Sequence, residues 1–376
     1  MKSPIGFELF AGCGGISTGF LDAGLHIVGG FDNDARSIEA YEYNHAYRGC
    51  HGYIADLNGA TGESLLKLAN VSRVDFLTGG PPCQPFSIAG KRQGTRDLRA
   101  SLIEDYERLI RDLEPQAIFF ENVPNLVTIE DGTILKGFIQ KLRRLKYVVD
   151  WKVVSAADYG VPQNRRRLLL IAARGVAGVE LPPATHGPAS LFGLRPHITS
   201  KDAIDDLPMA GDFGECGVYN HEATQHSDRM LERLHGLEVG RREKGSFHDR
   251  LHPDRPSYTL RAGTGNFSPL RPIHYKHDRV ITVRESARLQ TFSDDFIWPD
   301  SIPRLQQYRQ VGNAVPPLLA RIVAQSLASQ LGWRLAPKEF IGNLASRTSP
   351  ITMTDEERKF RRLSRIRGAS LGKLPA

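Results

Sequence analysis

Cysteine is scarce in this sequence and never paired. Cys13, Cys50, Cys83 and Cys216 are spread over 376 residues without a C-x-x-C unit, so neither a zinc site nor a disulfide framework is expected, and no metal is expected at all. A reducing, cytoplasmic setting fits that usage best. No apolar run approaches the roughly 18 residues that a membrane helix needs. The chain opens directly into an apolar strand without a charged leader, so neither a membrane span nor a signal peptide is expected. Internal repeats are missing too.

What is present describes a globular chain with an uneven charge. Hydrophobic residues make up 40% and charged residues 24%, enough for a sizeable core. The formal charge is +7 and the isoelectric point about 9.2, which permits polyanion binding without requiring it. Residues 337–376 hold nine Lys/Arg against four Asp/Glu, and so supply most of that excess. Residues 200–240 are acidic, three basic residues against nine acids, whereas residues 241–279 are basic, nine against four. A polyanion would meet the second stretch rather than the first.

Short apolar runs alternate with amphipathic ones over the first half of the chain. Gly6–Phe10, His26–Phe31, Val74–Thr78 and Ala117–Glu121 read as strands. Ile16–Ala23, Ala35–Asn44, Ser64–Ala69 and Ser101–Leu113 read as helices, and Trp151–Ser155 and Leu168–Ala173 would complete a sheet covered on both faces. From Leu181 the texture turns to Pro, Gly, His and Asp, which predicts a smaller irregular lobe. Helical patterning returns at Val283–Gln290 and Leu318–Leu331. The expected organisation is therefore 1–180 plus 281–336 as one large domain, 181–280 as a second domain, and 337–376 as a basic tail, with a short helix near Asp355–Arg367.

Two strand ends attract attention. Phe7-Glu8-Leu9-Phe10-Ala11-Gly12-Cys13-Gly14-Gly15 is a strand, a glycine-rich turn and a helix start, where backbone can approach a ligand and helix N–H groups are free. Its spacing differs from the dinucleotide fingerprint G-x-G-x-x-G, which argues against NAD or FAD. Asp32, at the end of the next strand, stands where an acid typically holds ribose hydroxyls. Asp56 could accept from an adenine amino group or merely cap a solvated turn. The second strand end is Gly79-Gly80-Pro81-Pro82-Cys83-Gln84-Pro85-Phe86-Ser87. A lone cysteine is usually an inert core residue, but the flanking prolines and glycines put Cys83 on a stiff exposed loop. That loop continues into Lys91, Arg92, Arg96 and Arg99, which suits a lid closing on phosphates. Glu121-Asn122-Val123 ends the neighbouring strand. In Gln163-Asn164-Arg165-Arg166-Arg167, alternation puts Arg165 and Arg167 on one side, although three arginines before a strand are commonly just a solvated edge.

The motifs F-A-G-C-G-G, G-G-P-P-C-Q-P-F-S, E-N-V, Q-N-R-R-R, R-E-S-A-R-L-Q-T-F at 284–292 and Q-V-G-N-A-V-P-P at 310–317 occur in this order. In order and spacing the chain resembles the DNA cytosine-5 methyltransferase family, of the prokaryotic restriction-modification type, over about residues 5–335. The resemblance implies an α/β fold: the Rossmann-like S-adenosylmethionine-dependent methyltransferase fold, with a mixed, mostly parallel sheet and a smaller irregular target recognition domain. It implies Cys83 as the nucleophile that adds to C6 of cytosine, Glu121 on N3 and the exocyclic amine, and Arg165, with Arg167 on the same side, at O2. Phe10, Gly12, Gly14, Asp32 and Asn33 would line the cofactor pocket, with Asp56, Pro82, Asn313 and Val315. Asn33 departs from the family, which often has an apolar adenine contact there. Gln84, Ser87 and Arg99 match DNA-facing positions, as do Thr259 and Leu260, the short Thr-Leu anchor, and Arg261. Arg241, Arg242, Arg250 and Arg255 are further candidate base or phosphate contacts.

The implied cofactor is S-adenosylmethionine, leaving as S-adenosylhomocysteine, and the implied partner is double-stranded DNA. A monomer is expected, with no membrane partner. A cognate restriction endonuclease would share the site without needing to touch the protein. A tRNA cytosine-5 methyltransferase of the same superfamily would carry the same catalytic residues, and a catalytically silent DNA-binding homologue would carry the same scaffold. The long segment before residue 281 favours an enzyme that reads a duplex, because a groove reader needs a separate lobe.

Overall fold

The computed structural model describes residues 3–82, 95–188, 193–211, 216–243, 248–261 and 272–336. At its centre lies a seven-stranded sheet. The chain builds β1 (Ile5–Leu9), β2 (His26–Asp32), β3 (His51–Ile54), β4 (Phe76–Gly79), β5 (Ala117–Asn122) and β6 (Val148–Ser155), then the short β7 (Gln163–Asn164) and β8 (Arg166–Ala173). The sheet order is β3-β2-β1-β4-β5-β8-β6. β1 to β5 run parallel, and β8 runs antiparallel to both β5 and β6. The sheet is thus mixed and mostly parallel, as the sequence implied, with β8 as its one reversed strand.

Helices cover both faces. α1 (Gly15–Ala23), α2 (Ala35–His45), α3 (Gly62–Leu68), α4 (Thr95–Leu113) and α5 (Thr133–Arg144) alternate with the strands. α6 (Ser200–Ile204), α7 (Asp228–His235), α8 (Val283–Leu289), α9 (Arg304–Asn313) and α10 (Pro317–Gln330) follow. β5 is buried at all six positions, as a strand covered on both faces must be. Its side chains divide by the period of two. Phe119 packs with α1 and α10 on one face, while Ile118 and Phe120 pack with α4 and α5 on the other. β3, α5, α6, α7 and α9 go beyond the elements read from the sequence. The expected helix near Asp355–Arg367 and the basic tail lie outside the described residues.

A third core forms away from the sheet. Phe292, Phe296 and Trp298 cluster beside α8 and α9, with ring centroids 4.5 to 5.4 Å apart. Ile204, Leu251, Leu260 and Tyr275 from the irregular segment join them, and so do Cys13 and Ala40 from the first half of the chain. α8 starts on a capping box in which Thr282 and Glu285 exchange side-chain-to-backbone hydrogen bonds. Arg279 grips both oxygens of that same Glu285 at 2.8 and 2.7 Å. No helix among the described residues is long and apolar enough to cross a membrane.

Candidate active site

β1 and β4 are neighbours in the sheet, yet the chain leaves them for opposite faces, to α1 and to α4. Such a switch in strand order opens a crevice at the carboxyl ends of the strands. β5 ends at the same edge with Glu121 and Asn122. Because β8 is reversed, its first residues also lie there, with Leu169 opposite Glu121 and Leu168 opposite Asn122. Four motifs far apart in sequence therefore share one rim.

The glycine-rich turn is held open by unusual backbone. Phe10, Gly12 and Gly14 all adopt positive φ, at 54°, 54° and 90°, a region that costs a residue such as phenylalanine energy unless its surroundings impose it. Among the described residues, no atom lies within 4 Å of where a Gly12 Cβ would stand, so the turn borders open space. Asp32 secures it: one carboxylate oxygen accepts the Gly12 N–H at 2.9 Å and the other the Asp34 N–H at 2.9 Å. Burial raises the Asp32 pKa, and these N–H groups oppose the rise. Asn33 is exposed, and Asp56 is exposed and caps a turn through the Asn58 N–H. Opposite, the Asn313–Val315 turn presses on the glycines, since a Gly15 Cβ would lie 2.3 Å from Val315 O.

Beneath this turn, β1 contributes a residue that sequence did not single out. Glu8 is buried and accepts the Ser17 N–H at 2.7 Å, inside the first turn of α1, as well as the Ser17 hydroxyl. The Tyr41 hydroxyl lies 2.6 Å from Ser17 Oγ and 3.0 Å from Cys50 Sγ. Burial raises the Glu8 pKa to about 8, partly offset by its bonds to Ser17.

On the chemical side, Gly80 runs directly beside Glu121: a Gly80 Cβ would stand 3.3 Å from both the Glu121 main-chain oxygen and Oε2. Asn122 Nδ2 donates to Pro81 O at 2.9 Å and fixes the start of the Pro-Pro-Cys loop. Arg167 Nε lies 3.0 Å from Glu121 Oε1, but the N–H is not aimed at it, and that buried oxygen accepts no hydrogen bond among the described residues. The alternation in Q-N-R-R-R holds, with Gln163 and Arg165 turned in and Asn164 and Arg166 facing out.

Arg165 nevertheless has work other than a base contact. It is 1% exposed and donates to Leu260 O (3.3 Å), Gly312 O (2.9 Å), Asn313 O (3.4 Å) and Ala314 O (3.1 Å). Burial lowers its pKa, as does the charge of Arg167.

The Thr-Leu anchor docks on the same motif. Ser257–Tyr258 pairs in parallel with β7, Thr259 Oγ1 donates to Asn164 O at 2.6 Å, and the Leu260 N–H reaches Gln163 Oε1 at 3.0 Å. Arg255 and Arg261 are exposed. Arg242 is half exposed, with its fork on the Asp249 carboxylate at 2.5 and 3.2 Å. Arg250, expected on the surface, is instead buried against Leu234 O, His274 O and Asp278. Cys83, Gln84 and Ser87 lie outside the described residues, as does the Arg99 side chain. Cys13, Cys50 and Cys216 are free thiols. No group of three or more His, Cys, Asp or Glu among the described residues is placed to hold a metal.

This strand order, with one reversed strand and a glycine turn after β1, defines the fold of S-adenosylmethionine-dependent methyltransferases. The chain is similar in structure to a DNA modification methyltransferase encoded within an E. coli prophage, with a TM-score of 0.71 and 26% identity, over 88% of this chain and all of that one. The S. pombe Dnmt2 methyltransferase, at 19% identity and a TM-score of 0.64, shares the fold over 88% of this chain and all of its own. In sequence, the chain is 34% identical over 334 residues to Type II methyltransferase M1.HphI of Haemophilus parahaemolyticus, covering 85% of each. It is 33% identical over 408 residues to Type II methyltransferase M.XorII of Xanthomonas oryzae, covering 96% of this chain and 93% of the other. Residues 6–329 match the C-5 cytosine-specific DNA methylase family, and the chain belongs to it. It is a DNA cytosine-5 methyltransferase.

Proposed function

We propose that the protein transfers the methyl group of S-adenosylmethionine to C5 of a flipped-out cytosine in one specific double-stranded DNA sequence, through a transient bond between Cys83 and C6. The observation that carries this reading is the buried Glu121 carboxyl beside Gly80 and the loop that leads to Cys83, with one oxygen 3.0 Å from Arg167 Nε but accepting no hydrogen bond among the described residues. A polar atom left without a partner in a buried site costs stability unless a ligand completes it.

Cytosine C5 is a poor nucleophile because the ring delocalises its electrons. Addition of the Cys83 thiolate to C6 makes C5 enamine-like. Glu121 would hold N3 and the exocyclic amine, and Arg167 would face O2, where negative charge develops. Arg167 takes this role in the proposal because the Arg165 fork is already engaged by carbonyls. After C5 has accepted the methyl group, a base removes the C5 proton and the C6–S bond breaks, returning the thiolate. The turn around Phe10, Gly12 and Gly14, with Asp32, Pro82 and the Asn313–Val315 turn, would hold S-adenosylmethionine, which supplies an electrophilic methyl group. The open space at Gly12 fits that use. C6 is unreachable inside a stacked duplex, so the base must rotate out.

Residues 181–280 would read the sequence, with Arg241, Arg255 and Arg261 among the exposed candidates. Similarity to Type II methyltransferases supports a place in a restriction-modification system. The protein would act in the cytoplasm as a monomer, and any cognate endonuclease would share the site without needing a contact.

The test has two stages. Bisulfite sequencing of host DNA after expression maps the modified site. A duplex with 5-fluorocytosine at that site should then trap the enzyme, because methyl transfer proceeds but fluorine cannot leave as a proton does. The adduct should need S-adenosylmethionine and vanish in Cys83→Ser, whose hydroxyl is scarcely ionised near neutral pH. An adduct that maps to Cys13, Cys50 or Cys216, or that survives Cys83→Ser, would overturn the mechanism.

A further inference from the structure

Among the described residues, Arg165 is a buried cation whose hydrogen-bond partners are four main-chain carbonyls and no carboxylate, with only its Nε making no hydrogen bond. Removing such a charge from water is costly, and the dipoles gathered on its two terminal nitrogens must offset it. Three of the carbonyls, those of Gly312, Asn313 and Ala314, belong to the last turn and C-cap of α9, where carbonyls lack intrahelical partners and a cation is favoured. The fourth belongs to Leu260, one residue before the exposed Arg261. Leu260 is held from both sides, its N–H by Gln163 Oε1 and its carbonyl by Arg165 Nη1. Gln163 Nε2 in turn donates to Gln290 Oε1 at 2.6 Å, and Gln290 Nε2 donates to Ala314 O. From Ala314 the path is short: the next residue's carbonyl, Val315 O, lies against Gly15 of the cofactor turn. Cys13 Sγ adds a second link from that turn to α9, at 3.7 Å from Gln310 O.

We infer that Arg165 is a positioning residue that couples the DNA-reading segment to the cofactor turn, so that occupancy of one site tightens binding at the other. This rests on the reading above that Asn313–Val315 borders the cofactor and that residues around Leu260 and Arg261 face DNA. A ligand that settles the 312–315 turn sets three of the four carbonyls around Arg165. The fourth, Leu260 O, is then drawn into the position from which Arg261 projects. The same argument runs in reverse from DNA, and by linkage the two effects must be equal.

The coupling factor is read by equilibrium binding without turnover. The dissociation constant of a duplex carrying the mapped site is measured with and without saturating S-adenosylhomocysteine, and the reciprocal experiment is done by calorimetry. In the wild type, S-adenosylhomocysteine should tighten DNA binding by about tenfold or more, within the range usual for coupled sites. Arg165→Lys keeps the charge but offers one donor atom where the fork offers two. It should bring the factor to within about twofold of unity, while each ligand alone binds within a few-fold of the wild type. A variant merely loosened in its fold would weaken both ligands and leave their ratio unchanged. If Arg165→Lys fails to fold, Thr259→Val, which frees the same anchor from its outer side, must lower the factor instead. Arg167→Ala should slow methyl transfer by about 10²–10³-fold and keep the coupling, so failure of the reaction mechanism and failure of this inference are told apart. A wild type that methylates DNA without any coupling, or an Arg165→Lys protein that retains it, overturns the proposal.

Discussion

At the rim of the sheet a carboxylate and a guanidinium lie 3.0 Å apart without an aligned hydrogen bond between them. Two groups so arranged are free to turn toward a third, and the flipped base is the group they would share. Glu121→Gln and Arg167→Ala should each lower kcat by about 10²–10³-fold, the usual cost of one preorganised donor or acceptor. The double variant should lose less than the product of the two, because both act on one ring. Single-turnover methylation measures this, and strict multiplicativity would count against a shared target. Glu8 gives a prediction of another kind. Its pKa rises from an ordinary 4.5 to about 8 on burial, so between those values the folded protein keeps a proton that the unfolded chain has lost. The Glu8 contribution to stability should therefore fall as pH rises from about 4.5 to about 8. Other buried groups titrate too: His45, lowered from 6.5 to about 3, works against it in the lower part of that range, and Glu285, lowered to about 2, costs stability only under acid conditions, so the Glu8 effect is read by difference. Glu8→Gln keeps an acceptor for Ser17 and removes the titration. Its melting temperature relative to the wild type should climb between pH 5 and pH 8.5. A pH-independent difference would show that Glu8 stays ionised in the fold. Glu8 was visible in the sequence only as a strand residue, because depth beneath α1 is not a local property.

Helices α1 and α10 touch through glycine. A Cβ on Gly19 would lie 2.3 Å from Pro317 O and 2.7 Å from Arg321 N, both main-chain atoms that cannot swing aside. Gly19→Ala should destabilise by roughly 1–3 kcal/mol despite its better helix propensity. Gly137, inside α5, has no atom within 4 Å of its would-be Cβ, and Gly137→Ala should stabilise by roughly 0.5–1 kcal/mol. Urea unfolding of the pair decides whether close packing or propensity governs each site. Elements with strong periodicity were legible in the sequence, among them α1, α10, β5 and β8. α5 was not read, although Leu135, Phe138, Ile139 and Leu142 are buried at helical spacing, because a glycine and a polar flank obscured the pattern. Nor was β3. It is an edge strand without a buried position, held by parallel pairing to β2 rather than by an apolar pattern.

For the whole molecule, the uneven charge makes a claim that salt can test. Residues 337–376 hold nine basic residues against four acids and none of the catalytic motifs. Their removal should flatten the dependence of DNA affinity on salt, since each lost phosphate contact lowers the slope by about 0.9. The methylated sequence should stay the same, and a truncated enzyme that modifies another site would refute this. The irregular segment, legible only as a change of texture, builds one small core of its own from Leu234, Ile273 and Val280 and shares a larger one with the rest of the chain. Leu251, Leu260 and Tyr275 share that one with Cys13, Trp298 and Val311. The family and the class of reaction were legible in sequence alone, as was the choice of Cys83, Glu121 and Asp32 as candidates, because motif order and residue chemistry survive without coordinates. The different surroundings of Arg165 and Arg167 were decided by tertiary structure. Alternation turns both arginines inward, but the reversal of β8 carries Arg167 to Glu121, and only the approach of α9 and Leu260 surrounds Arg165 with carbonyls. Those partners come from residues 95 to 149 positions away, and no local pattern encodes contacts at that range.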